Sequence, residues 1–209
     1  KNMRHIYKAG LWAGAAMLLS SAHLAHAQSA PVDEKPAKWD VAAPPGLTTR
    51  DVVIDVSEGS WMNIDASPDG KLLAFDLLGD IYMMPVSGGT PTRIADGLPY
   101  ETQPRFSPDG QRIAFTSDRG GGDNIWVMNA DGSDIHSISV NNVNEFDPSV
   151  LPDGRVLYGR WEYVDKNALT IQSLWTVHPD GSQETAFFAN NMVFPEAILD
   201  ARPVPGSQL

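Results

Sequence analysis

The chain contains no cysteine. Disulfides, thiolate nucleophiles and cysteine-bound metal sites are therefore excluded. Histidine is nearly as scarce, at five residues, and His5, His23 and His26 crowd the first 27 positions. Only His136 and His178 lie in the body of the chain. A histidine-rich metal centre needs several convergent ligands, so both are read as structural or surface residues. No G-x-S-x-G elbow, P-loop or G-x-G-x-x-G stretch occurs, and no serine has a visible base partner. Cations are also in short supply. Fifteen Lys and Arg face 26 Asp and Glu, for a net charge of −11. That balance speaks against nucleic acid, whose phosphates require a basic footprint, and against electrostatic binding to anionic lipid.

Long hydrophobic runs are missing except near the start. From Met3 a basic segment, MRHIYK, leads into the apolar run AGLWAGAAMLL and then SSAHLAHA. This order is that of a secretory signal peptide, residues 1–27, with an A-x-A site at Ala25 and Ala27. The apolar run is too short for an ordinary membrane span. Cleavage after Ala27 takes the net charge from −11 to −14, because Lys1, Arg4 and Lys8 leave with no acid. The expectation is a periplasmic or secreted protein with no transmembrane segment after cleavage. Residues 28–50 hold four prolines without period and read as an exposed linker, followed by a β-rich stretch, DVVIDV, at 51–56.

What the chain does have is a phrase written three times: NIDASPDG, QPRFSPDG and DPSVLPDG, each followed by an apolar strand. Pro68, Pro108 and Pro152 pre-set φ at the first central turn position. Asp69, Asp109 and Asp153 suit the second, and Gly70, Gly110 and Gly154 accept positive φ. The pattern predicts a type I turn with a glycine bulge. A third strand follows (IYMM, IWVM, LWTV), then a second turn (VSGG, NADG, HPDG) and a short fourth strand near 93–94, 135–138 and 186–188. Four antiparallel strands in 40–45 residues make a propeller blade. Phe75, Phe115 and Tyr158 hold equivalent places, as do Tyr82, Trp126 and Trp175, and both sets are assigned to a core between blades.

The fold expected is all-β, a β-propeller with blades over about 58–97, 98–140 and 141–190 and the start of another at 191–209. Pro195 is matched to Pro104 and Pro148 as the opening of that fourth unit. Three blades and a fraction cannot close a ring, so the chain is expected to be part of a longer propeller. Extra residues fall between the second and third strands, in DRGGGDN (118–124) and EYVDKNALTIQ (162–172). In repeat folds such insertions gather on one face, often a binding face.

SPDGQRIAFTSDRGGGDNIWVMNADGSD (107–134) closely resembles the repeat of TolB-type, WD-repeat-like β-propellers. Residues 58–110 resemble the N-terminal propeller of exported bacterial amidohydrolase-family proteins, whose metal-dependent barrel lies downstream. Residues 144–167 are more similar to propeller segments of hydrazine-synthase-α-like proteins. The first resemblance implies a fold that hosts many functions. The second implies an H-x-H pair of a barrel, which this sequence does not contain. The expectation is a non-catalytic module for a protein or peptide partner. The alternative is an accessory propeller of an amidohydrolase or a peptidase. No catalytic residue and no cofactor are assigned. Candidate positions for a cation such as Ca²⁺, or for a basic partner, are acidic. Glu101 and Glu145 stand three residues before Pro104 and Pro148 and are expected at a channel mouth. Asp118 and Asp123 flank the glycine loop.

Overall fold

A computed structural model describes residues 3–10, 40–161 and 172–190, and, within 192–207, all but 193, 196 and 205. The linker up to residue 39 and the second insertion, 162–171, lie outside the described residues. Fourteen strands are described and no helix. β1 (Met3–Gly10) pairs antiparallel with β2 (Thr49–Val56) in a separate two-stranded sheet. Met3–Gly10, expected to stand apart from the fold, is thus strand-paired. It contains the basic segment of the expected signal, and its partner contains the β-rich 51–56.

Three four-stranded antiparallel sheets follow. The first is β3 (Ile64–Ala66), β4 (Leu72–Leu77), β5 (Asp80–Pro85) and β6 (Thr92–Ala95). The second is β7 (Glu101–Phe106), β8 (Arg112–Ser117), β9 (Asn124–Asn129) and β10 (His136–Ser137). The third is β11 (Asn144–Val150), β12 (Val156–Trp161), β13 (Gln172–Val177) and β14 (Thr185–Phe188). In each, strands neighbour in chain order. The repeated phrase makes the turn it predicts. The Gly70, Gly110 and Gly154 N–H groups donate to the Ser67, Ser107 and Leu151 carbonyls at 2.8, 2.8 and 2.9 Å, and all three glycines have positive φ.

The core lies between sheets. Phe115, Ile113 and Met128 of the second sheet pack on Ala74, Ile81 and Ala95 of the first. Tyr158, Val156 and Val177 of the third pack on Ala114, Ile125 and Ile138 of the second. In the second and third blades a large aromatic therefore shares a core with a small alanine of the blade before it. Leu157 and Leu174 face onward, against Ile198 and Ala201 of the next unit.

That next unit does not begin where proline spacing suggested. Asp200 occupies the place of Gln103 and Asp147, so Ala201, not Pro195, stands where Pro104 and Pro148 stand. The Asp147 N–H donates to Gln103 Oε1 at 2.8 Å and the Asp200 N–H to Asp147 Oδ2 at 3.0 Å. The Ser207 N–H then donates to the Val204 carbonyl at 3.0 Å, closing a turn at the corresponding place but with the positive-φ glycine, Gly206, one position earlier. More residues separate β14 from Asp200 than separate β6 from Gln103 or β10 from Asp147, which puts the proline out of register.

Candidate functional site

Up-and-down sheets have two chemically distinct ends. One carries the repeated turns. The other carries the loops between second and third strands together with the connections from each blade to the next. The sequence candidates all fall at this connection end, but not in one site.

Glu101 opens β7 and Glu145 is the second residue of β11. Their N–H groups donate to the carbonyls of Gly79 and Asp123 in the preceding blade, each at 2.9 Å. Both side chains are completely buried, so neither lines a channel mouth, contrary to the sequence expectation. Glu101 accepts from Arg119 Nε at 3.1 Å and from Arg119 Nη2. Arg119 Nη2 also reaches the Asp96 carbonyl at 3.4 Å. Glu145 accepts from the Ser139 hydroxyl and the Asn141 amide. Burial pushes both carboxyls up to about 7, against the pull of these donors. The two acids are joints that fasten each connection to its blade. Two units with an acid in the same place signalled a repeated buried joint as much as a repeated surface site.

Asp118 and Asp123 do flank a loop at this end. Asp118 Oδ1 accepts from the Tyr100 N–H at 2.7 Å, and the Gly121 N–H donates to the Asp118 carbonyl at 2.7 Å. Partial burial, with Asp118 nearby, pushes the Asp123 carboxyl up. Among the described residues no group of three or more His, Asp and Glu is placed to hold a metal ion. His136 contacts the carbonyls of Asp134 and Pro179, and His178 the Gln183 side chain.

A polar ladder along the innermost strands escaped the sequence reading. The Gln103 N–H donates to Asp76 Oδ2 at 2.7 Å, and Asp76 also accepts from the Asn63 N–H and amide, both at 2.8 Å. Gln103 Nε2 donates to Asp147 Oδ1 at 2.5 Å, and Thr116 Oγ1 donates to Gln103 Oε1 at 3.0 Å. Gln103, Asp147 and Asp200 have φ of 58°, 54° and 50°, a left-handed conformation that costs a non-glycine residue energy unless the surroundings fix it. The only cue was a polar residue before the inner-strand prolines at 104 and 148. Gln103→Ala leaves the Asp147 N–H and the Thr116 hydroxyl without their acceptor. We expect a loss of about 2 kcal/mol, read by chemical denaturation. Gln103→Glu keeps the acceptor but sets a carboxylate against Asp147, and should also be destabilising.

At the connection end each blade junction exposes large apolar side chains. Trp61 and Met62 precede β3, Tyr100 precedes β7 and Val140 precedes β11, while Phe194 and Leu199 lie in the fourth connection; Leu78 sits at the β4–β5 tip. The turn end instead presents Asp69, Asp109, Asp131, Asp153 and Asp180, each with its carboxyl held below the usual range by local hydrogen bonds. Val86 and Val204 are the large apolar side chains exposed there among the described residues.

Comparison with known proteins matches the family model described as TolB beta propeller domain to residues 47–186. An uncharacterized protein of Agrobacterium fabrum is 36% identical over 92 residues, covering 42% of this chain and 31% of that protein. The Tol-Pal system protein TolB of Bordetella pertussis is 43% identical over 58 residues, covering 27% of this chain and 13% of that protein. Among solved structures, a TolB-like protein of Agrobacterium tumefaciens superposes with a TM-score of 0.55 at 24% identity, over 67% of this chain and 56% of that one. The chain thus spans well under two thirds of these relatives.

Proposed function

Because this chain belongs to the TolB beta propeller domain family, we propose that it is a non-catalytic interaction module of the cell envelope, binding a protein or peptide at its connection end. The observation that carries this reading is the exposure of Tyr100 and Val140, 61% and 88%. They flank the second blade, which has a four-stranded sheet packed on both faces. Neither residue therefore lies at an open face of the described blades. Side chains on loops of a rigid sheet frame are preorganised for docking, which lowers the ordering cost of binding.

The test is a photo-crosslinking residue at position 140, with position 131 at the turn end as control, in cells that make the protein natively. Protein adducts from 140 and not from 131 are expected. Adducts from neither position, or from 131 alone, overturn the reading. A second reading, an accessory propeller of a metal-dependent amidohydrolase, is favoured by the resemblance of residues 58–110. A reading frame running past Leu209 into a histidine-bearing barrel would support it.

A further inference from the structure

We infer that the surface formed by Leu78, Tyr100 and Val140 with Asp118 and Asp123 receives a polypeptide segment that carries large apolar side chains flanked by Lys or Arg. The inference rests on the interaction reading above and adds the chemistry of the partner.

Geometry fixes the apolar side chains at this end. A Cβ built on Gly79 would lie 2.9 Å from Tyr100 Cδ2, so the Tyr100 ring rests directly on the β4–β5 tip beside Leu78. Leu78 is itself 53% exposed. The Tyr100 N–H is fixed by Asp118, which holds the ring at the edge of the glycine loop. On the far side of that loop, Asn124 Nδ2 donates to the Asn141 carbonyl at 3.0 Å, which ties down the connection bearing Val140. Apolar side chains held in place yet left in water mark a contact surface more than scattered single exposures do.

The charged half decides the partner. The described cations near this surface are already engaged. Arg119 is held by Glu101, and Arg93 pairs with Asp80 at 3.2 Å and Asp96 at 3.0 Å. Among the described residues no ion pair is formed to Asp118 or Asp123. Partial burial, with Asp118 nearby, raises the Asp123 carboxyl. A partner bringing Lys or Arg meets these carboxylates, and its cation can also stack on the open face of Tyr100. A second copy of this chain is a poor occupant, since its own charge of −11 opposes docking on an acidic surface. Anionic lipid is disfavoured for the same reason.

The test uses the full chain and fluorescence anisotropy with three synthetic peptides of equal length. All share a Leu-Phe core, flanked on both sides by lysines, by glutamates or by serines. The lysine peptide is expected to bind roughly tenfold tighter than the serine peptide, and the glutamate peptide not at all. Raising ionic strength about tenfold should erase most of the advantage. Asp118→Asn keeps an acceptor for the Tyr100 N–H and should weaken the lysine peptide several-fold. Val140→Ser should weaken all binding without lowering the melting temperature, because Val140 is almost wholly exposed. Equal, salt-independent affinity for the three peptides overturns the charge argument and leaves the interaction reading standing. Binding unchanged by Val140→Ser overturns the location. No binding by any peptide, or a dimer in sedimentation that Val140→Ser dissociates, also overturns the inference. Crosslinking from position 140 then remains the separate measure of whether this end binds a partner.

Discussion

Gly132→Ala is expected to lower the thermal midpoint by roughly 10 °C, a loss of about 3 kcal/mol for a domain of this size. Two costs combine. Gly132 has a φ of +86°, where an L side chain meets its own backbone at a cost of about 1–2 kcal/mol. A Cβ there would also lie 2.3 Å from the Ile94 carbonyl oxygen and 3.1 Å from its carbon. That carbonyl belongs to β6, the outer strand of the preceding blade, at a bulge between the paired residues Arg93 and Ala95, so it can retreat only by shifting backbone that is paired on both sides. Gly154→Ala is the control. Its φ is +88° but nothing lies within 4 Å of its Cβ position, so only the conformational cost of about 1 kcal/mol applies. Gly181 repeats the Gly132 relation more loosely, with 3.4 Å to the Ile138 carbonyl oxygen, and Gly181→Ala should fall between the two. Thermal scans of the three variants measure the ranking. A Gly132→Ala protein no less stable than Gly154→Ala would mean that the second-turn glycine does not seat one blade against the next.

These contacts show where sequence reasoning reached and where it stopped. The Pro-Asp-Gly turns and the equivalence of Phe115 with Tyr158 were legible, because local turn chemistry and a repeated apolar pattern act within one unit. Contacts between units were not. The need for Gly132 looks like a turn requirement until β6 of the previous blade is placed against it. Gln103 and Asp147 look like ordinary loop polars, yet each satisfies a backbone N–H of the next unit through a side chain, in a left-handed conformation that no composition reveals. Spacing alone matched Pro195 to Pro104, whereas the hydrogen-bond ladder aligns Asp200 with Gln103 and so Ala201 with Pro104. Of the four acidic candidates, Asp118 and Asp123 are at a loop as expected. Glu101 and Glu145 are inside, because the β8–β9 loop supplies Arg119 to Glu101 and the connection before β11 supplies Ser139 and Asn141 to Glu145. The apolar side chains of the connection end are isolated in sequence and become a surface only once the strands assign them to one end.

The buried acids give the second large effect, a stability that falls between about pH 5 and pH 8. In the folded chain Glu101 and Glu145 have their carboxyls pushed up to about 7, chiefly by burial, from an ordinary value of 4.5. Glu101 Oε2 adds to that cost, since it has no hydrogen-bond partner among the described residues. Between pH 4.5 and 7 the folded form therefore binds more protons than the unfolded form. Stability from these groups is complete below the unfolded value and is lost as pH rises through the folded one. A shift of this size amounts to about 3 kcal/mol per group, on the order of 20 °C in melting temperature for the two together. The turn-end carboxyls work in the opposite sense. Asp69, lowered to about 2, and Asp109, Asp131, Asp153 and Asp180, also lowered, stabilise above the ordinary carboxylate range and lose that contribution as acid protonates them. The two sets together place the maximum near pH 5. Melting curves from pH 4 to 9 test this, with Glu145→Gln expected to be less stable at pH 5 but to lose about half of the fall toward pH 8. A melting temperature that rises steadily from pH 5 to 8, or a Glu145→Gln profile parallel to the parent, would show that the carboxylates are accommodated in charged form. In that case the donors Arg119, Ser139 and Asn141, and not a bound proton, hold the connections that carry Tyr100 and Val140.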